Sequence, residues 1–263
     1  MSVTIVIPAR YKSSRFPGKP LSPLKGATGI SKPLIQRAWE AASTVSGVSR
    51  VVVATDDDRI ADTARGFGAD VVMTAEACEN GTARCQDALS QLGKPDIVVN
   101  LQGDAPLTPS WFVEALIDAM KQGAQVATPV LRCDAQTYRN FVEDRKAGRV
   151  GGTTAVFGAG GSALYFSKEV IPYVGAEIAE GDVVPVFHHV GLYAYAPATL
   201  NQYVGWKAGP LETLEGLEQL RFLENGVPIR CVEVEAPGQV FWELNNPVDT
   251  PRIETALKNL GVE

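Results

Sequence analysis

Residues 3–7 of this chain, Val3-Thr4-Ile5-Val6-Ile7, are a short uncharged run rich in β-branched side chains. Such a run predicts a strand buried on both faces, the kind from which parallel sheets are built. Pro8 is expected to end it, because proline has no N–H to give to a sheet ladder. Similar apolar runs recur at 48–55, 71–73 and 97–101, and stretches of helical composition lie between or after them at 31–43, 59–67, 85–92 and 111–122. Strand alternating with helix predicts an α/β fold, a doubly wound and mostly parallel sheet. Open sheets of this kind bind ligands beyond the carboxyl ends of their strands. That rule directs attention to the segments after the first run and after the run at 97–101.

The first of these segments carries Arg10, Lys12, Arg15 and Lys19, with Ser13, Ser14 and Gly18 among them. Cations so close together repel one another unless an anion sits among them. The loop is therefore either a solvated basic turn or a grip for a polyphosphate, held by guanidinium forks and ammonium groups. The second segment is Gln102-Gly103-Asp104. Asp104 suits Mg²⁺, which takes one or two protein carboxylates, and it equally suits the cap of a helix starting near 109–111. Asp56, Asp57 and Asp58 read as the cap and first turn of helix 59–67 in preference to a metal cluster. Gly81 permits close approach of a ligand, and Thr82 can cap the helix that follows. Pro251 suits a first helical turn, with Asp249 or Thr250 as its cap. Gly66 and Gly68 end a helix and do not open one, so they are no dinucleotide fingerprint, and no P-loop is present.

The second half reads as a strand at 125–130, a polar helix within 134–149, a β-hairpin with a Gly-rich turn over 151–167, and a strand at 187–195. Neighbours on a strand face opposite ways, so His188 and His189 cannot share one site. An amphipathic helix is expected over 211–223 and a strand over 229–234. The 263 residues, 45% hydrophobic, fit one domain spanning 1–263 with a β-rich segment at about 151–195. A net charge of -6 argues against a nucleic-acid partner. Cys78, Cys85, Cys133 and Cys231 show no paired spacing and read as free thiols of a reducing compartment. No apolar run reaches the ~18 residues needed to span a membrane, and the chain opens directly into a strand, not a signal peptide. The expectation is a soluble, cytoplasmic protein without membrane contact.

The ordered string Ile7-Pro8-Ala9-Arg10-Tyr11, Ser13-Ser14-Arg15-Phe16-Pro17-Gly18-Lys19-Pro20-Leu21 resembles the nucleotide-binding signature of the sugar-acid cytidylyltransferases. It is most similar to the 3-deoxy-manno-octulosonate cytidylyltransferase (CMP-Kdo synthetase) family. Similar stretches follow along most of the chain: Val53 to Ile60, Gly81-Thr82-Ala83-Arg84, Gln102-Gly103-Asp104, Ala163-Leu164-Tyr165-Phe166-Ser167, His189 to Tyr193, Pro210-Leu211-Glu212 and Val248-Asp249-Thr250-Pro251. The resemblance implies transfer of CMP from CTP to the anomeric hydroxyl of a 2-keto sugar acid, Kdo first, with release of pyrophosphate. It implies Mg²⁺ as cofactor, CTP and a small sugar acid as partners, a homodimer, and a place in lipopolysaccharide or capsule assembly. The nucleotide would be bound by Ala9, Arg10, Ser14, Arg15, Lys19, Ala54, Thr55, Thr82 and Arg84. The sugar acid would meet Gln102, His189, Tyr193 and Glu212. Asp104 and Asp249 would hold Mg²⁺ and, with Arg10 and Lys19, carry the reaction. The chain departs from the family pattern at Ala105 (usually Glu), at Thr153 and Thr154 (a region that usually carries Lys), at Ser162 and His188 (usually Arg), and at Asn246-Pro247 (usually Gly). These departures keep a different ulosonic acid or a phosphonate open as acceptor, and a non-catalytic nucleotide-binding protein is the alternative of another class.

Overall fold

The computed structural model describes residues 1–13, 16–150, 152–236, 243–244 and 246–263. The chain divides into two compact units, 1–114 with 236–263, and 115–235. In the first, the elements are β1 (Val3–Ala9), the hairpin strands β2 (Pro23–Lys25) and β3 (Ser31–Pro33), α1 (Leu34–Ser43), β4 (Arg50–Thr55), α2 (Asp58–Gly66), β5 (Asp70–Met73), α3 (Gly81–Ala88) and β6 (Ile97–Leu101). The sheet order is β5-β4-β1-β6, and every pairing is parallel. The chain builds outwards from β1 through β4 to β5 and then crosses to β6 on the other side. The switch point therefore lies between β1 and β6, where a doubly wound sheet opens a crevice at its carboxyl edge. Both strands are buried along almost their whole length, as their uninterrupted apolar runs require.

Several boundaries differ from the sequence expectation. Strand β1 runs through Pro8 instead of stopping there. Its ladder with β6 ends at the pair Val6–Asn100, and the Pro8 carbonyl points beyond it toward Gly103. The missing N–H thus falls where no ladder bond is made. Ser31, Lys32 and Pro33 form a strand and not a helical first turn, because they pair with Lys25, Leu24 and Pro23. Helix α1 begins only at Leu34. Its Arg37, almost fully buried, donates to the carbonyls of Leu24 (3.1 and 2.8 Å) and Ile30 (3.1 Å), which ties the hairpin to the helix. Asp57 caps α2 as expected, accepting from the Arg59 N–H. Helix α3 starts four residues earlier than expected, and its cap is Asn80, which accepts from the Ala83 N–H at 2.8 Å, not Thr82.

Helix α4 (Ser110–Lys121) contains the boundary between the units. The second unit then holds β7 (Val126–Arg132), α5 (Ala135–Lys146), β8 (Thr153–Phe157), β9 (Ala163–Ser167), β10 (Phe187–His189), β11 (Leu192–Tyr195), α6 (Pro197–Tyr203), α7 (Pro210–Glu215), α8 (Leu220–Glu224) and β12 (Ile229–Glu233). The hairpin expected over 151–167 is β8 paired antiparallel with β9. The expected strand at 187–195 is two strands, broken at Val190-Gly191, with both pieces antiparallel to β7. On its other side β7 pairs in parallel with β12. The pairing of Ser162 with Arg230, together with a Cys231 N–H to Gly161 carbonyl bond of 2.7 Å, joins the start of β9 to β12. The strand order β12-β7-β10-β8-β9 thereby returns on itself.

The single helix expected over 211–223 is also divided. Gly216 takes the left-handed conformation (φ 61°) at the end of α7, which its missing Cβ allows. The Leu stripe is correspondingly split: Leu220 is buried, whereas Leu214 is 83% exposed. The chain finally returns to the first unit with α9 (Thr250–Leu260), entered through a 3₁₀ turn over Pro247–Asp249. Ile253 and Leu257 of this helix pack with Leu24, Leu34, Leu107 and Leu244. All four cysteines are free thiols. Among the described residues no helix is long and apolar enough to cross a membrane.

Candidate active site

The carboxyl edge of the first unit's sheet gathers most of the nucleotide candidates. The last pairs of β1 with β4 are Pro8–Ala54 and Ala9–Thr55, so Ala9, Ala54 and Thr55 lie side by side at that edge. Beyond Ala9 the basic loop begins with Arg10, whose side chain is exposed and makes neither hydrogen bond nor ion pair among the described residues. The loop closes through a Gly18 N–H to Tyr11 carbonyl bond of 3.0 Å, and Lys19 to Leu21 form a 3₁₀ turn. Ser14 and Arg15 lie outside the described residues.

Two of the loop's cations have carboxylate partners in the protein itself. Lys12 pairs with Glu76 on the surface, and that hydrogen bond holds the lysine pKa above and the glutamate pKa below the ordinary value. Lys19 reaches across the switch point, its Nζ 2.5 Å from Oδ2 of Asp104. Asp104 is held by backbone on both sides: the Ala105 N–H bonds the Gln102 carbonyl, and the Leu244 N–H bonds the carbonyl of Asp104 itself at 2.9 Å. A Cβ on Gly103 would stand 2.8 Å from the Pro8 carbonyl, so only glycine lets the β6 turn come this close to β1.

Helix α3 frames the same edge. At Gly81, a Cβ would lie 3.0 Å from Nδ2 of Asn100 and 3.4 Å from Nε2 of Gln102. Gln102 is therefore brought beside the start of the helix that carries Thr82 and Arg84. Thr82 and Arg84 are both buried. The guanidinium of Arg84 donates to Oγ1 of Thr74 at 2.6 Å and stands 3.4 Å from a carboxylate oxygen of Asp56. Asn100 is fully buried, and neither its amide oxygen nor its amide nitrogen has a hydrogen-bond partner among the described residues. Asp249 belongs to the turn before α9, where its carboxylate accepts from the Asn246 N–H at 2.7 Å. Asp249 holds the cap position of α9, as the local sequence suggested, but its side chain makes no cap bond to that helix and closes the preceding turn instead. Among the described residues no three or more His, Cys, Asp or Glu side chains cluster as a ready-made metal cage.

The remaining candidates lie in the second unit. His189 is buried, with Nε2 3.0 Å from Oγ1 of Thr128 and its ring packed on Phe166 and Tyr193. Burial, with His188 next to it, pushes its pKa down to about 3, so it is a neutral imidazole. His188 packs instead edge-on against Phe141, which confirms that the two rings face different ways. Both oxygens of Glu212 are taken by Arg221, at 2.6 and 2.7 Å, and this pair is itself buried. Arg221 also stacks on Tyr203. The sequence reading missed this pairing, as it missed the buried Asn100, Glu76 and the stacking of Arg59 on Tyr11; the Lys12–Glu76 and Arg59–Tyr11 contacts join residues far apart in the chain, and the Glu212–Arg221 pair spans the break between two helices that the sequence read as one.

A parallel sheet with its switch point between a cationic loop and a fixed carboxylate, in a chain whose second unit is built on antiparallel strands, has the Rossmann-like fold of the nucleotidyltransferases. The cytidylyltransferase family model matches residues 4–246. A 3-deoxy-manno-octulosonate cytidylyltransferase of Maricaulis maris is 44% identical over 97% of this chain and 96% of its own. An 8-amino-3,8-dideoxy-manno-octulosonate cytidylyltransferase of Shewanella sediminis is 42% identical over 91% and 96%. A solved CMP:2-keto-3-deoxy-manno-octonic acid synthetase complexed with CTP superposes with a TM-score of 0.84 at 35% identity, covering 99% of this chain and all of that one. The chain belongs to the cytidylyltransferase family of enzymes.

Proposed function

We propose that this enzyme transfers CMP from CTP to the anomeric hydroxyl of 3-deoxy-manno-octulosonate, releasing pyrophosphate. The observation that carries the reading is the meeting of Lys19 and Asp104 at the switch point, with exposed Arg10 at the head of the same loop. Arg10, Arg15 and Lys19 grip the triphosphate and take up the charge that develops on the leaving pyrophosphate. Ala9, Ser14, Ala54, Thr55, Thr82 and Arg84 hold the nucleoside, with backbone groups at the strand ends beside the base. The attacking hydroxyl belongs to the sugar acid and the bond broken joins the α and β phosphates, so the protein needs no nucleophile of its own. Its contribution is alignment and charge. Gln102 is assigned to the sugar acid, with His189, Tyr193 and Glu212 on the acceptor side. Neutral His189 can hydrogen-bond a hydroxyl but brings no charge, and Glu212 acts through the guanidinium it fixes.

The site fits a divalent cation. Asp104 already presents Oδ2 to a positive group, the Lys19 ammonium, and a lone hard carboxylate beside a triphosphate is the donor set Mg²⁺ prefers. Asp104 and Asp249 would hold it. Bound there, Mg²⁺ would polarise the phosphate and lower the pKa of the sugar hydroxyl. The homodimer, the cytoplasmic location, the use of the product in lipopolysaccharide or capsule assembly, and a single functional domain with 151–195 as its acceptor-side and dimerisation segment belong to the same proposal.

The relatives that act on the 8-amino acid favour one second reading, in which that acid is the acceptor. Thr153, Ser162 and His188, which replace expected cations, suit an acceptor that brings an ammonium of its own. The test is pyrophosphate release with CTP, Mg²⁺ and each acid in turn. Release with Kdo supports the first reading, release with the 8-amino acid alone supports the second, and release with neither rejects both. Asp104→Asn is expected to abolish turnover while CTP still binds; normal turnover in that variant would remove Asp104 from the reaction.

A further inference from the structure

The basic loop has to present Arg10 and Lys19 at fixed places, yet among its described residues there is no helix or strand before the turn at Lys19. What orders it is the ring of Tyr11. Gly18 donates its N–H to the Tyr11 carbonyl and lies so close that a Cβ there would stand 3.2 Å from the phenol carbons. The guanidinium carbon of Arg59, from α2, sits 3.3 Å from the centroid of the same ring. Arg59 is fixed in turn: its Nε donates to Oδ1 of Asp57 at 2.9 Å and its Nη2 to Oδ2 at 2.6 Å. Asp57 is the cap of α2, and its carboxyl is held below the usual pKa mainly by the Arg59 side chain.

We propose that Arg59 is a positioning residue for the nucleotide: Asp57 fixes Arg59, Arg59 clamps the Tyr11 ring, and the clamped ring sets where Arg10 and Lys19 stand. The proposal rests on the reading that this loop grips the triphosphate. An exposed arginine is ordinarily a solvated charge with no such duty. Here a bidentate carboxylate both immobilises the guanidinium and cancels its charge, so it can lie over an aromatic face beside a cationic loop without adding to the repulsion. Without the clamp the loop would sample many arrangements, and CTP would have to order it on binding. The loss then appears in nucleotide affinity and not in the chemical step.

The test uses the full-length enzyme. Arg59→Met is expected to raise the Kd and KM for CTP about two- to fivefold, the scale of an exposed cation–π contact, with kcat and Tm close to wild type. Arg59→Lys should recover part of the loss. Tyr11→Phe should match wild type and Tyr11→Leu should match Arg59→Met, since the ring and not its hydroxyl is clamped. Asp57→Asn keeps a good helix cap while loosening Arg59, so it should weaken CTP binding even if Arg59→Met folds poorly. Cleavage by trypsin after Lys12 in the nucleotide-free protein should be faster in Arg59→Met. That readout stands even if wild type fails to turn over CTP, which would reject the function reading alone. Unchanged CTP affinity together with unchanged cleavage would overturn the clamp.

Discussion

At the scale of single residues, the narrowest constraint in the first unit is the approach of Gly103 to Pro8. The two belong to the ends of β6 and β1, just where the ladder between these strands has stopped. Proline contributes by having no N–H to leave unpaired, and glycine by having no Cβ. A methyl group at Gly103 would meet a backbone carbonyl at 2.8 Å, and a backbone cannot swing aside as a long side chain can. Gly103→Ala should therefore push the Asp104 turn away from β1. We expect a loss of about 1–3 kcal/mol in urea unfolding, the usual cost of overpacking, together with a larger loss of turnover, because the displacement falls on Asp104 and its contact with Lys19. Stability and turnover both unchanged would mean that the strand ends part without consequence. By contrast, Gly66 has nothing within 4 Å of its Cβ position, so Gly66→Ala is a suitable control on the same unit.

At the scale of elements, β10 carries two histidines side by side in sequence on opposite faces, His189 buried and His188 half-buried. The protein interior disfavours the charged form of each, with pKa values pushed down to about 4 for His188 and about 3 for His189. An unfolded chain takes up these protons near pH 6.5, the folded one only well below that. Below pH 6.5 the unfolded state therefore binds more protons, and stability falls as the pH is lowered toward 4. Each fully shielded histidine contributes a slope of up to ~1.4 kcal/mol per pH unit. His188 is only partly shielded from solvent, so the larger share falls to His189. Denaturant midpoints between pH 7.5 and 4.5 should decline along this slope, and His189→Gln should flatten it; an equal slope in that variant would place the titration elsewhere. The alternation that separates the two rings was legible in the sequence, because period-two geometry is local. The break between β10 and β11 was not: Thr128 Oγ1, on β7, bonds the carbonyls of Val190 and Leu192 there. The same distinction runs through the chain. Buried runs such as 97–101 coincide with β6 because composition alone marks them. The start of α1 moved because Ser31 to Pro33 found partners in β2, and the cap of α3 moved because Asn80 competes better than Thr82 for a free N–H. In the site, Arg10, Lys19 and Asp104 could be singled out as residues of one sheet edge. The Lys19–Asp104 bond itself, across 85 positions, needed the fold.

At the scale of the molecule, the chain leaves the first unit within α4 and returns to it only with its last residues. The returning segment is not an appendage. Leu244 bonds the Asp104 carbonyl, and Leu244, Ile253 and Leu257 complete a cluster whose other buried members, Leu24, Leu34 and Leu107, come from the first half of the chain. The Arg37 guanidinium and Gly26 lie beside the terminal residue Glu263, where any larger side chain at Gly26 would meet its backbone carbon at 2.9 Å. The C-terminal helix thus supports the same hairpin that Arg37 ties to α1, and Leu244, earlier in the returning segment, bonds Asp104. Leu257 is fully buried in the cluster, and Leu257→Ala should cost about 2–4 kcal/mol in urea unfolding through lost burial and the cavity left behind. Ile253→Val, which removes one methylene, should cost about 0.5–1.5 kcal/mol. If the helix also positions the Asp104–Leu244 contact, Leu257→Ala should raise the Mg²⁺ concentration needed for half-maximal turnover at temperatures where the variant is still fully folded, and Ile253→Val should leave it near wild type. A stability loss without any shift in metal requirement would limit α9 to holding the hairpin, and Asp249 would then act at the site independently of the helix it opens.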